Sequence, residues 1–297
     1  MQFPRRLPVY CPAMRIQLFS DLHLERYPDF EPDIAPDTDV VVLAGDIGSY
    51  QAGSRLAGED FGLERFSPLR PGASPARVLF IPGNHEFDGL DFDATMLRLR
   101  ATCNRLGITW LDQEVVTIGN VRFVGTTLWS DFDALAAGHD LTKQLQLRNK
   151  AIRAANYYLS KNTTLRGGEP MLAESLREIG LACQDWLRGA LMQPFEGTTV
   201  AVTHFAPTLR SADPRYGVTP GTAGFLQCAR RPAAPGRPLD PRAPALSARL
   251  RGGRQRGRPP LVLPRGRQSA RLPEQGRAGR VQAGVRHHAV TPLRDWI

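Results

Sequence analysis

Four short segments carry residues whose types and spacing suit chemistry. Asp21-Leu22-His23, Gly45-Asp46, Gly83-Asn84-His85-Glu86 and Thr203-His204 together supply two aspartates, an asparagine and three histidines. Carboxylate, carboxamide and imidazole donors suit Mn, Fe, Zn or a similar divalent ion. Taken singly, each segment has a plain structural explanation. An Asp capping a turn beside a surface His accounts for the first, and Gly and Asp are ordinary turn residues. A polar turn accounts for the third, and a lone His more often satisfies a local polar group than a metal. Position sets them apart, because each follows directly on a β-prone run. Those runs are 15–20, Val40–Ala44, 78–81 and 199–203. In open α/β sheets, sites form outside the carboxyl ends of strands. Four strands thus deliver all six side chains to one rim.

The elements that must position them alternate strand and helix. Val40–Ala44 and 78–81 are continuous apolar runs of buried-strand length, and 121–125 alternates like a half-buried strand. Asp93 is expected to cap a helix over 94–106, with Met96, Leu97, Leu99 and Cys103 near one face and Gly107 ending it. Residues 171–192 place Leu172, Leu176, Ile179, Cys183, Trp186, Leu187 and Leu191 at helical spacing. A further helix is expected over 140–159. Residues 53–75, rich in Gly, Pro, Ser and Arg, read as a loop or irregular insert. The class implied is α/β.

In this order and at these strand ends, the motifs resemble the calcineurin-like metallophosphoesterases, whose pattern is Asp-x-His, Gly-Asp, Gly-Asn-His-(Asp/Glu), His and then Gly-His-x-His. The resemblance spans 14–225. It implies a four-layer α/β/β/α sandwich with a site for two divalent metal ions. Carried onto this chain, Asp21 and His23 hold one ion, Asp46 bridges both, and Asn84 and His204 hold the other. His85 stands beside the scissile phosphate as proton donor or charge stabiliser. The implied reaction is hydrolysis of a phosphate mono- or diester by a hydroxide bridging the two ions. Its partner is a small phosphorylated substrate. One departure narrows the branch. Protein Ser/Thr phosphatases of this superfamily read Gly-Asp-x-x-Asp-Arg-Gly, whereas this chain reads Gly45-Asp46-Ile47-Gly48-Ser49-Tyr50. The second Asp and the Arg are missing, which argues against a protein phosphatase.

A second departure is larger. No Gly-His-x-His follows His204; the later histidines are the adjacent His287 and His288. The fold is therefore expected to be incomplete at its C-terminal end, each metal losing one ligand. Composition changes at the same place. Residues 226–297 hold sixteen Arg, no Lys and three acids, so a chain of net charge +9 divides into a tail of +13 and a body of −4. Of the 72 tail residues 44 are Arg, Pro, Ala or Gly, the residues of GC-rich codons. Read one nucleotide later, codons for Leu239-Asp-Pro-Arg-Ala-Pro-Ala245 can encode Trp-Ile-His-Gly-His-x-His. The same shift applied to 271–281 restores Tyr, Phe and Lys. The expectation is a one-nucleotide slip near Phe225–Leu226. It would leave 226–297 out of frame and disordered, and the chain poorly active and poorly soluble. Residues 1–13 are expected to be a non-native extension ahead of Met14.

Composition bounds the remaining classes. A hydrophobic fraction of 42% is enough for a packed core. No apolar run approaches a membrane span and no secretory h-region opens the chain, so a cytoplasmic protein is expected. Cys11, Cys103, Cys183 and Cys228 form no CxxC pair, which argues against a disulfide or zinc scaffold. The competing reading is a binding protein: an inactive phosphoesterase fold gripping nucleic acid through its Arg-rich tail. Against it, the tail has no interleaved aromatics for base stacking. Trp129 and Tyr216 as stacking surfaces, and Arg148 and Arg210 as anion clamps, are weaker candidates. For the two aromatics, ordinary packing is the stronger reading.

Overall fold

The computed structural model describes residues 14–162, 164–209 and 219–224, together with the strand backbones of 244–247 and 291–292. In chain order the elements are β1 (Ile16–Phe19), β2 (Val40–Ala44), β3 (Arg77–Ile81), α1 (Phe92–Leu106), β4 (Thr109–Trp110), β5 (Glu114–Ile118), β6 (Val121–Thr126), α2 (Leu141–Asn162), β7 (Leu165–Arg166), β8 (Glu169–Pro170), α3 (Ala173–Met192), β9 (Thr198–Thr203), β10 (Pro244–Ser247) and β11 (Thr291–Pro292). Strands β1 to β4 form a wholly parallel sheet in that order. A second, mixed sheet runs β11-β10-β9-β6-β5, with β6 and β9 parallel.

Alternation along the strands explains the layering. In β2, Val40, Val42 and Ala44 face one way and join Leu79 and Ile81 of β3 in a core with Val121, Phe123, Val200 and Val202 of the second sheet. That core is the seam between the sheets. The opposite set, Val41, Leu43, Val78 and Phe80, packs in a larger cluster with Leu99, Cys103 and Leu106 of α1. Val124, on the outer face of the second sheet, shares that cluster with Leu176, Cys183 and Leu187 of α3. Helix, sheet, sheet and helix are thus stacked, as the α/β/β/α expectation requires. Each fully buried Val, Leu or Ile contributes roughly 1.5–3 kcal/mol, so the continuous apolar run of β2 anchors both cores. Close approach shapes α3: a side chain at Gly180 would meet the Trp129 carbonyl at 2.3 Å.

Several local expectations need correction. Asp91, not Asp93, caps α1, its side chain accepting from Ala94 N. Asp93 sits in the first turn and pairs with Arg166 at 2.9 Å. Leu97 points to solvent at 73% exposure, because the buried stripe runs through Phe92, Thr95, Leu99, Thr102, Cys103 and Leu106. The 53–75 segment is irregular as expected, apart from a 3-10 turn at Leu63–Phe66, but it is not peripheral: Phe61, Leu63 and Phe66 are buried in the main core, and Arg98 of α1 lies over the rings of Tyr50 and Phe61. Short β4 and edge strand β5 were not expected. Cys103 and Cys183 are buried free thiols, and no helix among the described residues is long and apolar enough to cross a membrane. Residues 1–13, the tail outside the two short strands, Tyr216, Arg210, His287 and His288 lie outside the described residues.

Candidate metal centre

The loops leaving β1, β2, β3 and β9 converge at the carboxyl edge of the strands. Loop one runs alongside loop two, with Asp21 N donating to Gly45 O (3.1 Å), His23 N to Asp46 O (3.1 Å) and Leu24 N to Ile47 O (2.9 Å). Asp21, His23 and Asp46 all adopt left-handed φ, at 53°, 50° and 55°. Each such non-glycine residue costs about 1–3 kcal/mol, and strain of this kind clusters at functional sites. Two glycines allow the convergence. Gly45 has φ +86°, and a Cβ there would sit 2.5 Å from Gly83 N and 2.6 Å from His204 Nδ1. A Cβ on Gly83 would meet Asp46 Oδ1 at 2.2 Å.

Asp46, 1% exposed, occupies the centre. Its Oδ1 accepts from His85 N at 2.9 Å. Its Oδ2 lies 3.4 Å from His204 Nε2 and 4.0 Å from His85 Nε2. Ligand atoms of His23, Asp46 and His85 fall within 4.8 Å of one another, as do those of Asp21, Asp46 and His204. Asp46 belongs to both groups. By reach, Asp21 lies with His204 and His23 with His85, whereas the family pattern sets Asp21 with His23. Asn84, half-buried, opens the 3-10 turn His85–Phe87 on the same loop.

All three imidazoles are anchored through Nδ1. That of His23 lies 3.2 Å from Glu25 Oε1, that of His85 2.6 Å from Asp88 Oδ2, and that of His204 2.9 Å from the Ala44 carbonyl. Nε2 is the ring nitrogen that faces the Asp46 carboxylate in His85 and His204. A metal-binding His characteristically donates its other ring N–H to a carboxylate or carbonyl. Three imidazoles so oriented around one buried, shared carboxylate form a donor set that fits divalent ions.

Burial works against protonation of His85. The Asp88 bond and the charges of Asp46, Asp88 and Glu86 outweigh it and push the pKa up to about 9. This ring is a cation at neutral pH in the metal-free protein, rather than the near-neutral titrating group expected of an ordinary imidazole. His23 is also raised, the Glu25 bond and the Asp46 charge overcoming burial. Glu86 is fully buried, and its carboxylate accepts from Gly83 N (2.8 Å), Asp46 N (3.1 Å) and Ile47 N (2.7 Å). Burial and the Asp46 charge raise its pKa to about 7 against those bonds.

The carboxylates Glu25 and Asp88 were missed by sequence reasoning. Their signal is local: an acid two or three residues after each loop histidine. Of the weaker candidates, Trp129 is packed among Phe87, Phe92 and Phe205. Arg148 is held bidentately by Asp133 at 2.6 and 3.0 Å. His139 is exposed in a loop. A cavity of about 540 Å³ beside Asn120 and Phe195 opens at the opposite end of the second sheet and receives none of these residues.

A profile of the calcineurin-like phosphoesterases matches residues 14–223. No curated protein sequence matches. Among solved structures, the chain is similar to a phosphopantetheinyl hydrolase from Mycobacterium tuberculosis, at 20% identity and a TM-score of 0.48, over 72% of this chain and 75% of that one.

Proposed function

The chain belongs to the calcineurin-like phosphoesterase family, and on that premise we propose that its centre takes two divalent ions and hydrolyses a small phosphate mono- or diester. The observation that carries this reading is the shared position of Asp46 between two groups of donors. On the family pattern Asp21 and His23 would hold one ion, Asn84 and His204 the other, and Asp46 both; by reach only the sharing of Asp46 matches that pattern, since Asp21 groups with His204 and His23 with His85. When bound, the ions supply charge neutralisation at the phosphoryl oxygens and a water acidic enough to attack near neutral pH. His85 then serves the leaving group. Asp88 holds its Nδ1, so the proton on Nε2 is the one available to the departing alkoxide. The same positive ring offsets charge building on the phosphoryl oxygens. Glu86 keeps the backbone of Gly83, Asp46 and Ile47 in register through its three accepted bonds.

The missing Gly-His-x-His bears on this chain in particular. The family match stops at residue 223, beside the suspected slip at Phe225–Leu226. We therefore also propose that the chain as written is impaired. Even a residue that only supports a ligand is worth about 10–100-fold in metal affinity or activity, and an absent ligand costs more. The test is Mn²⁺-dependent hydrolysis of p-nitrophenyl and bis-p-nitrophenyl phosphate by this chain, its D46N variant and a version with codons 226–297 read one nucleotide later. The restored version is expected to exceed this chain by more than a hundredfold, with D46N abolishing turnover in both. Equal rates in the two versions would overturn the impairment, and turnover surviving D46N would overturn the site.

A further inference from the structure

Helix α2 (Leu141–Asn162) is the most basic stretch of an otherwise acidic body. It carries Lys143, Arg148, Lys150, Arg153 and Lys161 and no acid, while the first 225 residues sum to −4. Only Ala151 is fully buried. Ile152, Ala155 and Leu159 pack half-buried against the core. Arg148, on that same side, is neutralised by Asp133. Opposite lie Lys143, Gln146, Lys150, Arg153, Tyr157 and Lys161, all exposed. They are spaced three or four residues apart, so they form one strip along the outer side of the helix. At 1.5 Å per residue the strip is about 27 Å long. Among the described residues, no carboxylate pairs with its cations.

Two further observations give the strip a direction and a chemistry. Tyr157 and Tyr158 are 61% and 62% exposed, and Lys161 Nζ lies 3.9 Å from the centre of the Tyr157 ring. Aromatic faces interleaved with cations are what a nucleic-acid strand meets on a stacking platform. The aromatic end also adjoins the metal centre. Gly89 N donates to Asn162 O (2.9 Å) and Thr164 Oγ1 to Phe87 O (3.0 Å), on the loop that begins at His85.

We propose that this face of α2 binds single-stranded nucleic acid, with Lys143, Lys150, Arg153 and Lys161 meeting backbone phosphates and Tyr157 and Tyr158 stacking a base. A membrane surface fits less well. An interfacial helix needs a free apolar face opposite its charged one; beside the tyrosines that side of α2, Ala151, Ile152, Ala155 and Leu159, is packed on the core, and only Leu141 and Leu145 at the far end are exposed. The claim concerns binding and does not depend on hydrolysis.

The test is fluorescence anisotropy of a 5′-labelled oligo-dT 20-mer with the full chain between 50 and 200 mM NaCl. The Arg-rich tail also attracts polyanions, so the comparison is between K143A/K150A/R153A and a charge-matched R70A/R77A/R105A variant. Loss of three phosphate contacts on α2 should reduce the salt slope by about two, at roughly 0.7 per contact. The matched variant should change it little. Tyr157→Ala should weaken binding roughly tenfold at fixed salt without altering the slope. All the changed residues are exposed, and circular dichroism verifies folding. Equal effects of the two triple variants, or no effect of the α2 variant, would overturn the proposal. So would loss of binding to phosphatidylserine vesicles with oligonucleotide binding intact.

Discussion

His85 Nδ1 lies 2.6 Å from Asp88 Oδ2 within a single turn, and the Asp88 side chain is almost wholly buried. The carboxylate fixes which ring nitrogen faces the metal centre and holds His85 as a cation. A histidine raised above its ordinary value contributes stability that is complete below about pH 6.5 and lost as pH rises through its folded pKa, here about 9. Asp88→Asn keeps an acceptor and removes the charge. In the metal-free protein, the His85 titration followed by ¹⁵N NMR should shift down by a unit or more. In the restored enzyme, turnover of alkyl phosphates should fall about 10–100-fold, and that of p-nitrophenyl esters, whose leaving group needs no proton, by clearly less. An unchanged titration would remove Asp88 from the mechanism.

Glu86 ties loops two and three together without facing the centre. Its two oxygens take three backbone N–H groups at zero exposure. Glu86→Gln replaces one acceptor with an NH₂ group pointed at donors. Each buried donor left unpaired costs about 1–3 kcal/mol. The variant should lose roughly 2 kcal/mol in urea unfolding and bind Mn²⁺ at least tenfold more weakly by calorimetry. Loss of stability with unchanged Mn²⁺ affinity would show that the brace and the centre are independent.

Legibility in the sequence followed burial. The run Val40–Ala44 announced a strand buried on both faces because every residue in it is apolar and all five are buried. The loop donors were legible because chemistry-bearing residues directly follow such runs. Edge strand β5 was not, since Glu114–Ile118 is only half-buried and half-exposed along its length. Phe61, Leu63 and Phe66 were hidden among Gly, Pro and charged neighbours, and only contact with α1 and the first sheet marks them as core. Asp91 and Asp93 are both plausible caps by type, and backbone geometry alone chooses between them. Glu25 and Asp88 escaped because an acid near a histidine is commonplace until ring orientation is known.

Gly45 and Gly53 share nearly the same φ, +86° and +83°, but differ in surroundings. A Cβ at Gly45 runs into Gly83 backbone, whereas nothing lies within 4 Å of one at Gly53. Gly53→Ala should therefore cost only the left-handed penalty, about 1 kcal/mol. Gly45→Ala must push two ligand loops apart and should cost about 3 kcal/mol or more, together with Mn²⁺ binding. Chemical unfolding of the pair measures the difference. Equal losses would mean that the loops give way freely.

Asp112 clasps the two sheets beneath the centre. Its Oδ1 accepts from Thr127 N at 2.6 Å, and the Thr127 hydroxyl donates to the Pro82 carbonyl at 2.8 Å, just ahead of Gly83. Burial lifts the Asp112 carboxyl to about 6 against the bonds from Thr127 and Thr126. A carboxyl raised on folding binds its proton more tightly in the native state. Its influence on stability is favourable at low pH, declines from about pH 4 to pH 6, and is constant above that. The decline amounts to roughly 3 kcal/mol for two units. Asp112→Asn retains the acceptor for Thr127 and removes the ionisation. Relative to the parent, the variant should gain stability progressively from pH 4.5 to 6.5 in urea unfolding and hold that gain at pH 7.5. A difference that stays flat across this range would mean that Asp112 ionises in the folded protein as freely as in the unfolded chain, and that the clasp is made by a carboxylate at no electrostatic penalty.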